Sequence, residues 1–148
     1  MKKASSLGMD IFVDCVVFGF DGTKLNILLI EQGSIPDVSI ANDKMQMALP
    51  GDLVTPIEDL DESASRVLKQ LTSLEGIYLK QFQTFGSPER VKGLKDQDWL
   101  RAFRANPDRR VITVAYYSLV KMEDYLPLAS SFAKNAAWID VNNIPSLA

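Results

Sequence analysis

The sequence predicts an α/β domain in which a mixed β-sheet is covered by helices, an α/β/α sandwich. Three observations carry that prediction: β-branched and aromatic runs lie early and late in the chain, one strongly amphipathic helix separates them, and the length suits one core. A chain of 148 residues buries about two thirds of its unfolded surface around a single core, so one domain over residues 1–148 is expected, with 1–10 as a tail.

Residues 11–20 (IFVDCVVFGF) read as a strand, and after the turn Asp21-Gly22 residues 24–30 are apolar again, which predicts a β-hairpin. Residues 32–46 hold Gly33, Pro36, Asn42 and Asp43 without periodicity and are read as a long surface loop. A short strand over 47–54 is broken at Pro50-Gly51. Asp59, with Glu62 three residues on, forms a capping-box pattern at the start of a helix running to about Leu74. In it Leu60, Ala64, Val67, Leu68, Leu71 and Leu74 fall on one arc at helical spacing, so one face packs on a core.

Residues 78–85 and 111–120 (VITVAYYSLV) read as strands, the second the stronger for its β-branched and aromatic content. Residues 136–141 supply a last short strand, and 122–133 a further short helix. Between the two middle strands, residues 87–108 form an elaborated loop insertion in which 95–103 makes a short helix, Trp99 and Phe103 one turn apart.

Composition removes several function classes. There is no histidine, which excludes histidine bases, histidine-dependent nucleophiles and histidine metal ligands. A single cysteine, Cys15, forms neither an internal disulfide nor a multi-thiolate zinc site, and its apolar surroundings mark it as a core residue. A net charge of -3 argues against broad nucleic-acid binding by this chain alone. No apolar run is long enough to span a bilayer and the opening MKKASSLGMD is not a signal peptide, so a cytoplasmic location is expected.

The stretch PGDLVTPIEDLDESASRVLKQLTSLEG, residues 50–76, resembles the Nudix box: glycine, five residues, glutamate, seven residues, then Arg-Glu, an aliphatic, any residue, Glu-Glu, any residue, glycine, an aliphatic. Aligned without gaps, Asp52 stands at the first glycine, Glu58 at the first glutamate, Arg66 at the arginine, and Leu68 and Leu74 at the aliphatic positions. Val67, Gln70 and Leu71 stand where three glutamates are expected, and Ser73 where the last glycine is. Carboxylates at those three positions would converge on one cation from a single helix face. Valine and leucine offer magnesium no ligand, and a neutral amide does not offset its charge.

The resemblance extends over residues 12–148 apart from the 32–46 and 87–108 loops, through segments in the order seen in Nudix-related transcriptional regulators and their sugar-sensing relatives. It implies a Nudix fold, a homodimer, and a sensor for a sugar or ADP-ribose-like effector without catalytic residues or a cofactor. In those regulators DNA is bound by a winged-helix domain, which the 148 residues do not include. The competing reading is a Nudix pyrophosphohydrolase that recruits Mg2+ through Glu58 and Glu62, with Asp59 or Asp61, and cleaves a nucleoside diphosphate linked to another moiety.

Candidate ligand-binding residues are Asp14, Phe18, Glu58, Arg66, Gln70, Phe85, Arg110 and Tyr116. Asp14 interrupts an apolar strand, where a carboxylate needs a partner, water or a ligand hydroxyl. Glu58 and Arg66 either steady an anionic ligand or pair with each other to hold the loop on the helix. Tyr116 and Tyr117 alternate, so one of them faces each side of the sheet; Tyr116 either lines a pocket or packs with its hydroxyl satisfied. Arg109 and Arg110 with Arg90, Lys92, Lys95, Arg101 and Arg104 make the insertion basic, a solvated loop or a phosphate or DNA-backbone contact.

Overall fold

The computed structural model describes residues 8–32, 47–88, 110–127 and 133–146. The expected loop at 32–46 and insertion at 87–108, including its helix and its basic residues other than Arg110, lie outside the described residues apart from their first positions.

Among the described residues seven strands form one mixed sheet: β1 (Met9–Phe20), β2 (Leu25–Gln32), β3 (Met47–Ala48), β4 (Gly51–Leu53), β5 (Lys80–Phe85), β6 (Arg110–Lys121) and β7 (Ala133–Asp140). The long runs β1 and β6 pair in parallel along their whole lengths, from Met9 opposite Arg110 to Phe20 opposite Lys121. Every other pairing is antiparallel. The predicted hairpin is present, its turn closed by the Asp21 carboxylate, which accepts from the Thr23 and Lys24 amides while Gly22 takes a positive φ of 98°.

The hairpin strands pair at three positions, Phe18 with Ile27, Gly19 with Asn26 and Phe20 with Leu25, and then diverge. The break at Pro50-Gly51 fills the wedge: β3 pairs with β2, and β4 with β1. Proline donates no ladder bond, but its carbonyl accepts from the Cys15 amide at 2.8 Å, so the chain crosses the gap without losing that donor.

α1 (Leu60–Thr72) begins where the capping box predicts. The Asp59 carboxylate accepts from the Glu62 amide at 2.8 Å and the Glu62 carboxylate accepts from the Asp59 amide at 3.3 Å. It ends at Ser73, left-handed with φ 66°. Its apolar arc packs on the sheet face made by Val13, Cys15 and Val17 of β1, Leu28 and Ile30 of β2, Val114 and Tyr116 of β6 and Ala136 of β7. Ala64, Val67, Leu68 and Leu71 are buried there, and full burial of each larger aliphatic is worth about 1.5–3 kcal/mol.

The mixed sheet and its helix agree with the predicted α/β class; α1 is the one α-helix among the described residues. The helix expected over 122–133 does not form across residues 122–127, and residues 128–132 lie outside the described residues. A single 3₁₀ turn, Met122–Asp124, gives way at Tyr125 to extended backbone, and β7 has begun by Ala133. Pro127 explains the stop, since it lacks a donor and pushes the residue before it out of helical geometry.

Candidate functional site

Side chains alternate across a strand, so the register sorts the candidate residues by face. The residues do not form one cluster. Glu58, Arg66, Gln70 and Tyr116 belong to the α1 side, while Asp14, Phe18 and Phe85 belong to the opposite face.

On the α1 side, Glu58 is the hub of a polar clasp. Arg66 Nε donates to Glu58 Oε2 in an ion pair. The Ser63 hydroxyl and the Thr55 amide donate to Glu58 Oε1 at 2.8 and 3.2 Å. The other two guanidinium nitrogens of Arg66 donate to Gln70 Oε1 and to the Leu53 carbonyl, both at 2.9 Å. This ties β4, the loop after it and two turns of α1 together. The Arg66 guanidinium, aided by Ser63 and Thr55, holds the Glu58 carboxyl at about 2, well below the usual carboxylate range. Of the sequence alternatives for these two residues, the mutual ion pair is the arrangement present.

Val67 and Leu71 point into the core rather than toward solvent. The remaining acids at the start of α1 are also engaged: Asp59 and Glu62 cap one another, and Asp61 accepts from Tyr116. Among the described residues no three Asp, Glu, His or Cys side chains are grouped to hold a metal ion.

Of the two arrangements expected for Tyr116, the packed one with its hydroxyl satisfied is present. Its ring is fully buried and its hydroxyl donates to Asp61 Oδ1 at 2.6 Å, which leaves a ligand no surface to touch. Burial first, then the neighbouring Asp61 carboxylate, pushes its phenol above the usual tyrosine range. Its partner across the parallel ladder, Cys15, is equally buried; its thiol lies 3.5 Å from the Ala64 carbonyl and is pushed up to about 12 by burial, so it is unreactive. Arg110, at the start of β6, donates to the Gly86 carbonyl at 2.6 Å and clasps the end of β5 to the start of β6.

On the opposite face, direct pairing sets Ala115 of β6, Asp14 of β1 and Gly51 of β4 side by side. Gly51 is required there. A Cβ at this position would fall on Asp14 Oδ1 and within 3.0 Å of the Val13 carbonyl, so the carboxylate occupies space that only glycine leaves. Towards β5 stands an aromatic group in which Phe82, which sequence reasoning missed, joins Phe85 and Tyr117. Phe82 meets Tyr117 edge to face at 5.7 Å and Phe85 at 6.5 Å, with Phe82 and Tyr117 48% and 40% exposed. A register shift between Gln81 and Gln83 places Phe82 there, and the alternating pattern of the strand gives no sign of it. Phe18 lies farther along this face, opposite Leu119 and Ile27.

No family model matches the chain. In sequence it is similar to the ADPR responsive transcriptional repressor NtrR of Acinetobacter baylyi, 29% identical over 115 residues, which are 76% of this chain and 38% of that protein. In structure it is similar to the NUDIX domain of Shewanella oneidensis NrtR solved with ADP ribose, with a TM-score of 0.73 at 17% identity over 99% of this chain and 83% of that one. The chain has the Nudix fold. A MutT/nudix family protein from Enterococcus faecalis also shares it, with a TM-score of 0.66 at 23% identity over 95% of this chain and 45% of that one. The chain thus spans 38% of the curated relative's length, and the residues that resemble the Nudix box are those of the Glu58 clasp and the buried side of α1.

Proposed function

We propose that this Nudix-fold domain is a non-catalytic sensor that binds a sugar or an ADP-ribose-like nucleotide on behalf of a transcriptional regulator. The observation that carries it is the state of the box. Glu58 is engaged by Arg66, Ser63 and Thr55, and two of the three positions that would complete a cation site are the buried aliphatics Val67 and Leu71.

Those residues do not fit magnesium, a hard ion that takes oxygen ligands. Supplying an open carboxylate from Glu58 would break its bond to Arg66, and the capping acids Asp59 and Glu62 would have to leave the helix start. The sequence relative is named for its response to ADPR, which supports the sensing role and the effector class.

The sensor acts by differential affinity: an effector that binds one arrangement of the regulator better shifts the population towards it. Within this proposal the protein is a cytoplasmic homodimer whose DNA contacts come from a winged-helix domain outside these residues. No helix among the described residues is long and apolar enough to cross a membrane.

Two measurements on the purified chain test it. Thermal-shift titration with aldopentoses and ADP-ribose should raise the melting temperature with at least one of them. Incubation with Mg2+ and ADP-ribose, sugar nucleotides or dinucleoside polyphosphates should yield no products; turnover that disappears in Glu58→Gln would establish the pyrophosphohydrolase instead.

A further inference from the structure

Among the described residues β5 is an edge strand, and its face away from α1 gathers a cation, an aromatic ring and an amide. Lys80 pairs with Tyr117 and Gln83 with Ala115, so both lie on the face that Tyr117 shares. The register shift between Gln81 and Gln83 adds Phe82 to the same face, its ring 5.7 Å from that of Tyr117 and at 81° to it. The bulge thus brings together three side chains that strict alternation would divide. All of them are exposed, and among the described residues the Lys80 ammonium, the Gln83 amide and the Tyr117 hydroxyl make no hydrogen bond or ion pair. No acidic residue occurs from Gly76 to Pro88, whereas Lys121, farther along this face, is followed closely by Glu123 and Asp124. Lys80 is therefore the cation best placed to receive an anion.

We propose that this face of β5 and β6 binds the base end of a nucleoside diphosphate, the base packed on the Phe82 and Tyr117 rings, its polar edge met by Gln83 and the diphosphate by Lys80. This rests on the sensing role proposed above and deepens it by selecting the ADP-ribose-like nucleotide over the free sugar. Two rings at nearly a right angle leave an opening in which a flat heteroaromatic ring sets its face on one and its edge towards the other. A carboxamide both donates and accepts, which suits the ring nitrogens and amino group of a base, and an ammonium offers a phosphate its full charge. Gln83 and Lys80 stand on either side of Phe82 along the strand, so the edge of the base and its phosphate-bearing side point in opposite directions. Arg66, the cation of the box side, donates from all three guanidinium nitrogens to protein acceptors and is not set out to receive a phosphate. A free pentose has neither the planar ring nor the charge, and would leave Phe82 and Lys80 unused.

Calorimetric titration of the whole chain with ADP-ribose, ADP, adenosine and ribose, at low and at moderate salt, tests the assignment. ADP-ribose and ADP should bind with similar affinity that falls as salt rises, and adenosine more weakly without that dependence. Phe82→Ala is expected to weaken ADP-ribose binding about tenfold, the range of a base stacked on an aromatic ring, while Phe82→Tyr retains it. Lys80→Gln should weaken it about fivefold at low salt, remove most of the salt dependence and leave adenosine unaffected. Lys69→Ala, on the exposed side of α1, should change none of these affinities. Circular dichroism of each variant confirms folding, and if Phe82→Ala fails to fold, Lys80→Gln carries the test. If the Phe82 and Lys80 variants bind ADP-ribose as tightly as the parent, the assignment is overturned, and if they also convert a dimer to monomers in sedimentation, the face is a contact between copies. If the chain binds ribose but no adenine nucleotide, the assignment falls while the sensing role stands. If it binds none of the probes, the sensing role itself falls, and the site with it.

Discussion

Removing the Tyr116 hydroxyl isolates a direct polar tie from β6 to the first turn of α1. In Tyr116→Phe the ring still fills its place in the core, so the loss is confined to the 2.6 Å bond to Asp61. A hydrogen bond to a charged acceptor contributes about 1.5–3 kcal/mol, and the exposed Asp61 recovers part of that from water, which leaves a net cost of about 1.5 kcal/mol. With an unfolding entropy of about 2.1 cal/mol/K per residue, a chain of 148 residues then melts about 5 °C lower. Chemical denaturation of Tyr116→Phe, Asp61→Asn and the double variant gives the coupling directly, expected near 1 kcal/mol. The pH dependence adds a signature: the folded-state phenol titrates above its usual value of 10.0, so its contribution is full below about pH 10 and is lost as pH rises further. Tyr116→Phe should lack that alkaline loss. A coupling below about 0.3 kcal/mol, with the alkaline limb unchanged, would show that the bond does not hold the helix.

The Glu58 clasp predicts an acid limb: a carboxyl held at about 2 against a usual 4.5 adds stability above pH 4.5 that disappears as pH falls towards 2, and Glu58→Gln should flatten the denaturation midpoint across that window. Ser73→Gly should raise stability by about 0.5 kcal/mol in urea unfolding, because Ser73 caps α1 at a φ of 66° that glycine adopts freely. Gly19→Ala should cost about 1–3 kcal/mol and alter the near-ultraviolet dichroism of tryptophan, because its Cβ would come within 2.8 Å of the Trp138 ring.

The elements were legible because each follows from local pattern. The capping box of Asp59 and Glu62, the apolar arc of α1 and the β-branched runs of β1 and β6 each fix their own conformation, and the structure departs from them mainly at strand ends. The failed helix near residue 122 had its counter-signal in Pro127. The division of the site residues was not legible, because it depends on which neighbour each strand chooses. Alternation alone says that Tyr116 and Tyr117 face opposite ways; only the pairing of Tyr116 with Cys15 sends Tyr116 under α1 and Tyr117 to the other side. Phe82 joins that other side through a register shift set by β6, which no pattern within residues 80–85 encodes. Glu58 and Arg66 were readable as partners because their motif spacing placed them together, whereas the Ser63 contribution to the clasp depends on the path of the loop.

The short hairpin contact between β1 and β2 has a mechanical consequence. Beyond Phe18 and Ile27 the two strands part, while β2 stays laddered to β7 from Asn26 to Gln32 and β1 to β6 along its full length. The molecule is therefore a two-leaved book bound at the Asp21–Lys24 end, with the slender β3 and β4 as its gusset. Few hydrogen bonds join the leaves directly, so what binds them is chiefly α1, packed on Val13, Cys15 and Val17 of one leaf and on Leu28, Ile30 and Ala136 of the other.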